Sequence, residues 1–247
     1  MYQNVGAAIV LSLWTLLLHR VSGPNAYFQS GRTVPVQYAR LILPSTIIIY
    51  LLPTLATFYP RFSNDTLQSV LAFWQFAPLL VNIPLWFAAP FVSSAPATGK
   101  AKTADLKHLH VLYYALFFFS LASHWYSVFM VMSSETEGVT LSRVFLPHRA
   151  HWLTSMDNGL LWIFQWDWII IATSFVVTAM IGAYDVQRFV PEIDTDSDRL
   201  GKIVYIAVAL VALGGPGASL AAYWGFREEQ LAVMEERVEK RDEKKAN

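Results

Sequence analysis

The chain contains no cysteine. That single absence removes disulfides, thiolate metal sites and cysteine nucleophiles together. Charge is scarce as well: only 15% of the 247 residues are Asp, Glu, Lys or Arg, where soluble domains carry nearer a quarter. Acids and bases balance at 18 each, so there is no basic excess to hold a nucleic acid. Long polar helix faces, which a large soluble helical enzyme would need, are also missing.

What is abundant is apolar and aromatic, at 55% and 15% of the residues. These residues come in blocks rather than in a surface-helix rhythm. Crossing a hydrocarbon core of roughly 30 Å takes roughly 17–25 apolar residues as a helix. Such spans are predicted over about 41–58, 68–92, 109–132, 160–182 and 203–224, with a short first one at 4–18. The segment "NVGAAIVLSLWTLLLHR" lacks a basic leader and a small-x-small cleavage site, so it reads as a retained helix. The expected fold is therefore all-α, a polytopic bundle of about six membrane helices over 1–225. A charged tail over 226–247 follows, with Glu236 and Lys240 at helical i, i+4 spacing.

Orientation does not follow from the charges. If each span crosses once, the loops 20–40, 93–108 and 183–202 share one face and carry three Lys/Arg each. The N-terminal face carries one in 59–67 and two in 133–159. The tail then adds six to that second face, and the positive-inside comparison ends level.

One residue breaks the pattern. In "LLWIFQWDWIII", residues 160–171, Asp167 stands among aromatic and aliphatic neighbours. A carboxylate at mid-membrane costs about 2.5–3.5 kcal/mol on insertion scales, and such residues are functional by default. Measured at 1.5 Å per residue, Asp167 lies about 10 Å below the N-terminal face, His124 about 12 Å and Gln75 about 10 Å. The "GGPG" of Gly214 to Gly217 falls at similar depth and frees backbone carbonyls. Stripes at helical spacing point the same way: Tyr113, Phe117, Ser120, His124 and Ser127 on one span, Gln68, Gln75 and Asn82 on another.

Each has a plainer reading. Gln75 and Asn82 serve as interhelical hydrogen-bonding residues in many bundles, His124 can be an ordinary bonded histidine, and Asp167 can partner a His or Trp. Trp74, Trp125, Trp162 and Trp166 can belong to an interfacial belt, although several sit a turn or two deeper. Aromatic faces also stabilise cations, by about 0.5–2 kcal/mol each. One acid among many π-faces matches carbocation chemistry. No metal cluster is visible: Asp194, Asp196 and Asp198 lack the glycine and glutamate of a calcium loop, and "HLH" and "HRAH" are too sparse for a histidine-metal oxidase.

"SGRTVPVQYARLILPSTIIIYLLPT", "LAFWQFAPLLVN", "FLPHRAHWLTSMDNGLLWIFQWD" and "GGPGASLAAYWGFREEQL" together resemble the small integral-membrane terpene cyclases of fungal meroterpenoid pathways. The resemblance runs from about Gly31 to Leu231. An Asn-x-x-Trp-Glu pattern, found in another fungal membrane cyclase group, is missing: "VNIPLWF" has no glutamate there. The resemblance implies a farnesyl-type chain on an aromatic or quinone head, cyclisation started by protonating a terminal alkene or epoxide, no cofactor, and residence in the endoplasmic reticulum.

On the residues themselves, Asp167 is expected to be the proton donor, with His124 or Gln75 bonded to its second oxygen. Trp74, Tyr113, Trp125, Trp162, Trp166 and Asn82 are expected to line the substrate cavity. Asp157 or His151 would take the last proton. The competing function is a small-molecule transporter or channel with a polar intramembrane site, supported by the broken last span and by the polar layer at partial depth.

Overall fold

A computed structural model describes residues 6–23, 34–92, 103–150, 152–189 and 197–246. The helices are α1 (Ala7–Ser22), α2 (Val36–Ala56), α3 (Asn64–Phe91), α4 (Leu106–Met132), α5 (Leu141–Phe145), α6 (Met156–Phe189) and α7 (Ser197–Ala246). The described residues contain no strand. Five of these helices are long and apolar enough to cross a membrane, and α1 is a shorter apolar helix beside them. The protein is a multi-pass, all-helical membrane protein. The acidic loop holding Asp194 and Asp196, like His151, lies outside the described residues.

The chain divides into two compact units: residues 32–112, and residues 1–31 together with 113–247. In the first of these, prolines shape the helices. Pro44 lies inside α2 and is followed by a π-helical turn, Thr46–Leu51; a ring without N–H cannot continue the ordinary ladder. Pro78 lies inside α3, which breaks one turn later at Val81 and Asn82. There Asn82 donates its side-chain amide to the carbonyls of Pro78 and Leu79 at 3.2 and 3.4 Å. Ser63 caps α3, its hydroxyl accepting from the Thr66 N–H at 3.2 Å.

The second unit is built on α6, which packs against α1 and α7. Ser12 and Ser174 share a hydrogen bond of 2.9 Å, and α1 runs parallel to α6. The difference from sequence reading comes in α7. In place of one crossing over 203–224, the helix reverses at Gly215, whose φ of 80° and ψ of 167° are not helical. The Ser219 hydroxyl donates to the Ala207 carbonyl at 3.1 Å. Twelve residues of straight helix would hold those groups about 18 Å apart, so residues 197–214 and 216–246 are antiparallel arms. Ala207 and Tyr223 accordingly meet in one core cluster with Ala179. Only glycine takes such a backbone readily, and Pro216 opens the second arm where its missing N–H is harmless.

Candidate functional site

The answer to Asp167 lies at the start of α1. A helix begins with N–H groups that have no partner within it, and Gly6, with φ 98°, offers no side chain to cap them. Asp167 Oδ1 accepts the Ala8 N–H at 3.2 Å. The carboxylate, half-buried on α6, thus faces the positive end of a helix dipole. Among the described residues no hydrogen bond joins it to His124. The expected Asp167–His124 pair is replaced by a contact between a side chain and a backbone amide.

His124 instead faces the α7 turn. A Cβ placed on Gly215 would lie 3.4 Å from its Nδ1. Its ring neighbours Trp125 and Phe145, with centroids 6.4 and 6.2 Å away, and Phe145 in turn meets Trp168 at 5.8 Å. Trp162 sits between Trp152 and Trp166, at 5.0 and 6.2 Å. Trp125 and Trp166 are both exposed, at 52% and 42%. Tyr113 packs on Gly225, 3.6 Å from the place of a Cβ.

A residue that sequence reading passed over organises this end. Gln165 is buried, and its side-chain amide donates to the carbonyls of Arg143, Val144 and Leu146 at 2.7, 3.0 and 3.1 Å. It ties the short helix α5 to α6, while Arg143 donates to Asn158. Asp157, expected as a base, is exposed in the first turn of α6.

The remaining expected residues belong to the other unit. Trp74 donates its indole N–H to Thr54 Oγ1 at 2.8 Å and stacks on Tyr50 at 6.3 Å. Gln75 is exposed there, and Asn82 serves the helix break described above. Trp74 and Asn82 therefore have local structural partners within residues 32–112.

A second polar site, not foreseen, lies about 27 Å along α6 from Asp167. A cavity of about 110 Å³ is lined by Leu18, His19, Ser22, Gly182, Asp185, Tyr223, Trp224, Arg227 and Glu228. The hairpin in α7 creates it by returning the second arm to the far ends of α1 and α6. Arg227 Nη1 donates to Glu228 Oε1 at 3.2 Å, with both side chains buried. Asp185 and Tyr223 are buried beside them. Gly182 is required there: a Cβ would fall 1.2 Å from the Tyr223 hydroxyl oxygen. Among the described residues no three His, Asp or Glu side chains are grouped to hold a metal ion.

A family model described as the CtvD domain matches residues 1–232. The chain belongs to the CtvD domain family. Among its curated relatives, "Terpene cyclase ascI" of Acremonium egyptiacum is 27% identical over 91% of this chain. Two proteins named "Terpene cyclase DEP1", from Alternaria brassicicola and Fusarium langsethiae, are each 26% identical over 94% of it. The chain spans 60–66% of the length of these relatives. No solved structure matches.

Proposed function

We propose that this CtvD-family protein is a membrane terpene cyclase. It acts on a prenylated, farnesyl-type aromatic or quinone substrate, and the reaction begins by protonating a terminal alkene or epoxide. The observation that carries the reading is the alignment of relatives named terpene cyclases along 91–94% of the chain. One feature of the molecule supports it. Intramembrane carboxylates and indoles stand close together, which matches an acid that generates a cation and faces that stabilise it. Cyclisation of this kind is redox-neutral and releases no diphosphate, so it asks for neither a redox cofactor nor a diphosphate-binding metal. Endoplasmic reticulum membranes, where a lipophilic prenylated substrate partitions, are the proposed location.

The transport alternative rests on the broken last helix and on the polar layer at partial depth. The break itself is a turn between two packed arms, closed by the Ser219–Ala207 bond.

The test is conversion in yeast microsomes carrying the protein, supplied with farnesylated phenols with and without a terminal epoxide. A chromatographically distinct product of unchanged mass is the expected result. Absence of any isomeric product from correctly folded protein refutes the cyclase reading.

A further inference from the structure

Gln165 lies buried, at 6% exposure, in the aromatic first half of α6. An amide in such a place costs free energy unless its hydrogen bonds are made. Its nitrogen donates to the carbonyls of Arg143, Val144 and Leu146. These stand at the C-terminal end of α5 and just beyond it, where a helix leaves its carbonyls without partners of its own. Thr140 caps the other end, its hydroxyl accepting from the Arg143 N–H at 3.1 Å. That cap is local, whereas the bonds from Gln165 join the segment to a spanning helix. Five residues are too few to hold a helix by themselves, so α5 stands where Gln165 pins it.

What those bonds fix is a ring. Phe145, the last residue of α5, meets His124 of α4 and Trp168 of α6, with centroids 6.2 and 5.8 Å away. The planes are inclined at 46° and 60°, so the rings are tilted and edge-on rather than stacked, and their faces are not all spent on one another. All three residues are half-buried, which leaves each of them surface for a ligand. Gln165 and Trp168 are three residues apart on one face of α6, so the amide that pins α5 and the indole that meets Phe145 share a helical turn. Leu146 and Leu153, in the segment that follows α5, are 56% and 79% exposed. In a membrane protein such apolar surface suits lipid, the phase from which a prenylated substrate arrives.

We propose that Gln165 is a positioning residue for cyclisation: it sets Phe145 against His124 and Trp168, and these three rings form the surface on which the prenyl chain folds and its cation rests. The assignment rests on the cyclase reading above and holds whichever group delivers the first proton. Ring closure needs the terminal cation and the next alkene held at near-attack distance, and a misplacement of about 1 Å costs about 10²-fold in rate. The π pair of that alkene forms the new C–C bond and moves the charge along the chain, against the aromatic faces. The cation then ends in one of two ways. A neighbouring C–H bond gives its electron pair to a new C=C and its proton to water, and the product is an isomer of the substrate. Alternatively a water oxygen bonds to the cation and sheds a proton, and the product is hydrated. A displaced Phe145 favours the second outcome, because the loosened chain no longer keeps water from the cation.

The experiment uses the full chain in yeast microsomes with the same farnesylated phenols, as wild type, Gln165→Leu, Phe145→Leu, Phe145→Tyr and the double variant Gln165→Leu with Phe145→Leu. Substrate quenching of tryptophan fluorescence reports binding apart from turnover, and mass spectra separate isomer from hydrated product. Gln165→Leu is expected to keep KM near the wild-type value and to lose roughly 10- to 100-fold in kcat, with the hydrated share of product rising. Phe145→Leu is expected to lose roughly 2- to 30-fold, the reach of one cation–π contact, and Phe145→Tyr to recover most of that loss. Because Gln165 acts through Phe145, the double variant is expected to be no slower than Gln165→Leu alone. A wild-type kcat and product ratio in Gln165→Leu overturn the assignment, and so do losses that simply multiply in the double variant. If Gln165→Leu does not fold, Phe145→Leu matching Phe145→Tyr in rate and products overturns it instead. A silent wild type overturns the cyclase reading and this assignment together, whereas an active wild type matched by every variant overturns the assignment alone.

Discussion

Replacing Asp167 removes the acceptor of the Ala8 amide and the charge that faces the start of α1. The size of the effect follows from that geometry. Loss of a helix cap destabilises by about 0.5–2 kcal/mol, and loss of a favourable charge at a helix terminus by about 0.3–1 kcal/mol. The bond is long, at 3.2 Å, and part-buried, so Asp167→Ala is expected to cost about 1–2 kcal/mol. That is a factor of roughly 5–30 in the folded-to-unfolded ratio. Asparagine keeps an oxygen for the amide and loses only the charge, so Asp167→Asn is expected to cost less than half as much. An acid that starts cyclisation behaves in the opposite way: its Asn variant folds normally and loses roughly 10²–10⁴ in rate. The assay is therefore double, with thermal unfolding in detergent followed by intrinsic fluorescence, and turnover per folded molecule in membranes. An Asp167→Ala variant that melts as the wild type does refutes the capping account, and a stable but inactive Asp167→Asn makes Asp167 the acid.

Further outcomes follow from the same structure. Gly215→Ala puts a side chain at φ 80° and within 3.4 Å of His124 Nδ1; a loss of about 1–3 kcal/mol in unfolding is expected, and an unchanged melt contradicts the hairpin turn. Gln165→Leu deletes three hydrogen bonds to the α5 region, and faster limited proteolysis within 141–155 is the expected sign, at a cost of about 1–3 kcal/mol. A C-terminal tag is expected to be cleaved by protease outside sealed microsomes while a tag inserted near Gly138 is protected; the reverse pattern refutes a cytoplasmic Asp185 end.

Most of the helices were legible from residue type alone. Apolar blocks of membrane length have few other uses, and α2, α3, α4 and α6 lie where those blocks lie. Asp167 was equally visible, because a charge inside an apolar run stands out. Its partner was not: every residue but proline carries a backbone N–H, so no side-chain pattern announces that Ala8 will supply one. The second cavity escaped for a different reason. His19, Asp185, Arg227 and Glu228 sit at the ends of apolar segments, where charged residues are ordinary and suggest only an interface with water. Gln165 was hidden among its aromatic neighbours, two positions from the more conspicuous aspartate.

Composition and apolar block length determined, without any tertiary information, that this is a helical membrane protein with an intramembrane acid. Those properties depend on transfer of residues from water to lipid, which is nearly additive along the chain. Direction is not additive. Residues 203–224 total about 33 Å of helix, enough for one crossing, and only the bond from Ser219 to Ala207 reveals two arms. Within residues 1–31 and 113–247, the reversal at Gly215 gathers ten of the twelve Lys and Arg at the ends near Asp185 and two at the Asp167 end. By the positive-inside rule this distribution predicts a cytoplasmic Asp185 end, and the same reversal builds the ionic cavity there. A single left-handed glycine decides both, because the side of the membrane that a segment reaches depends on how many times the chain has turned before it.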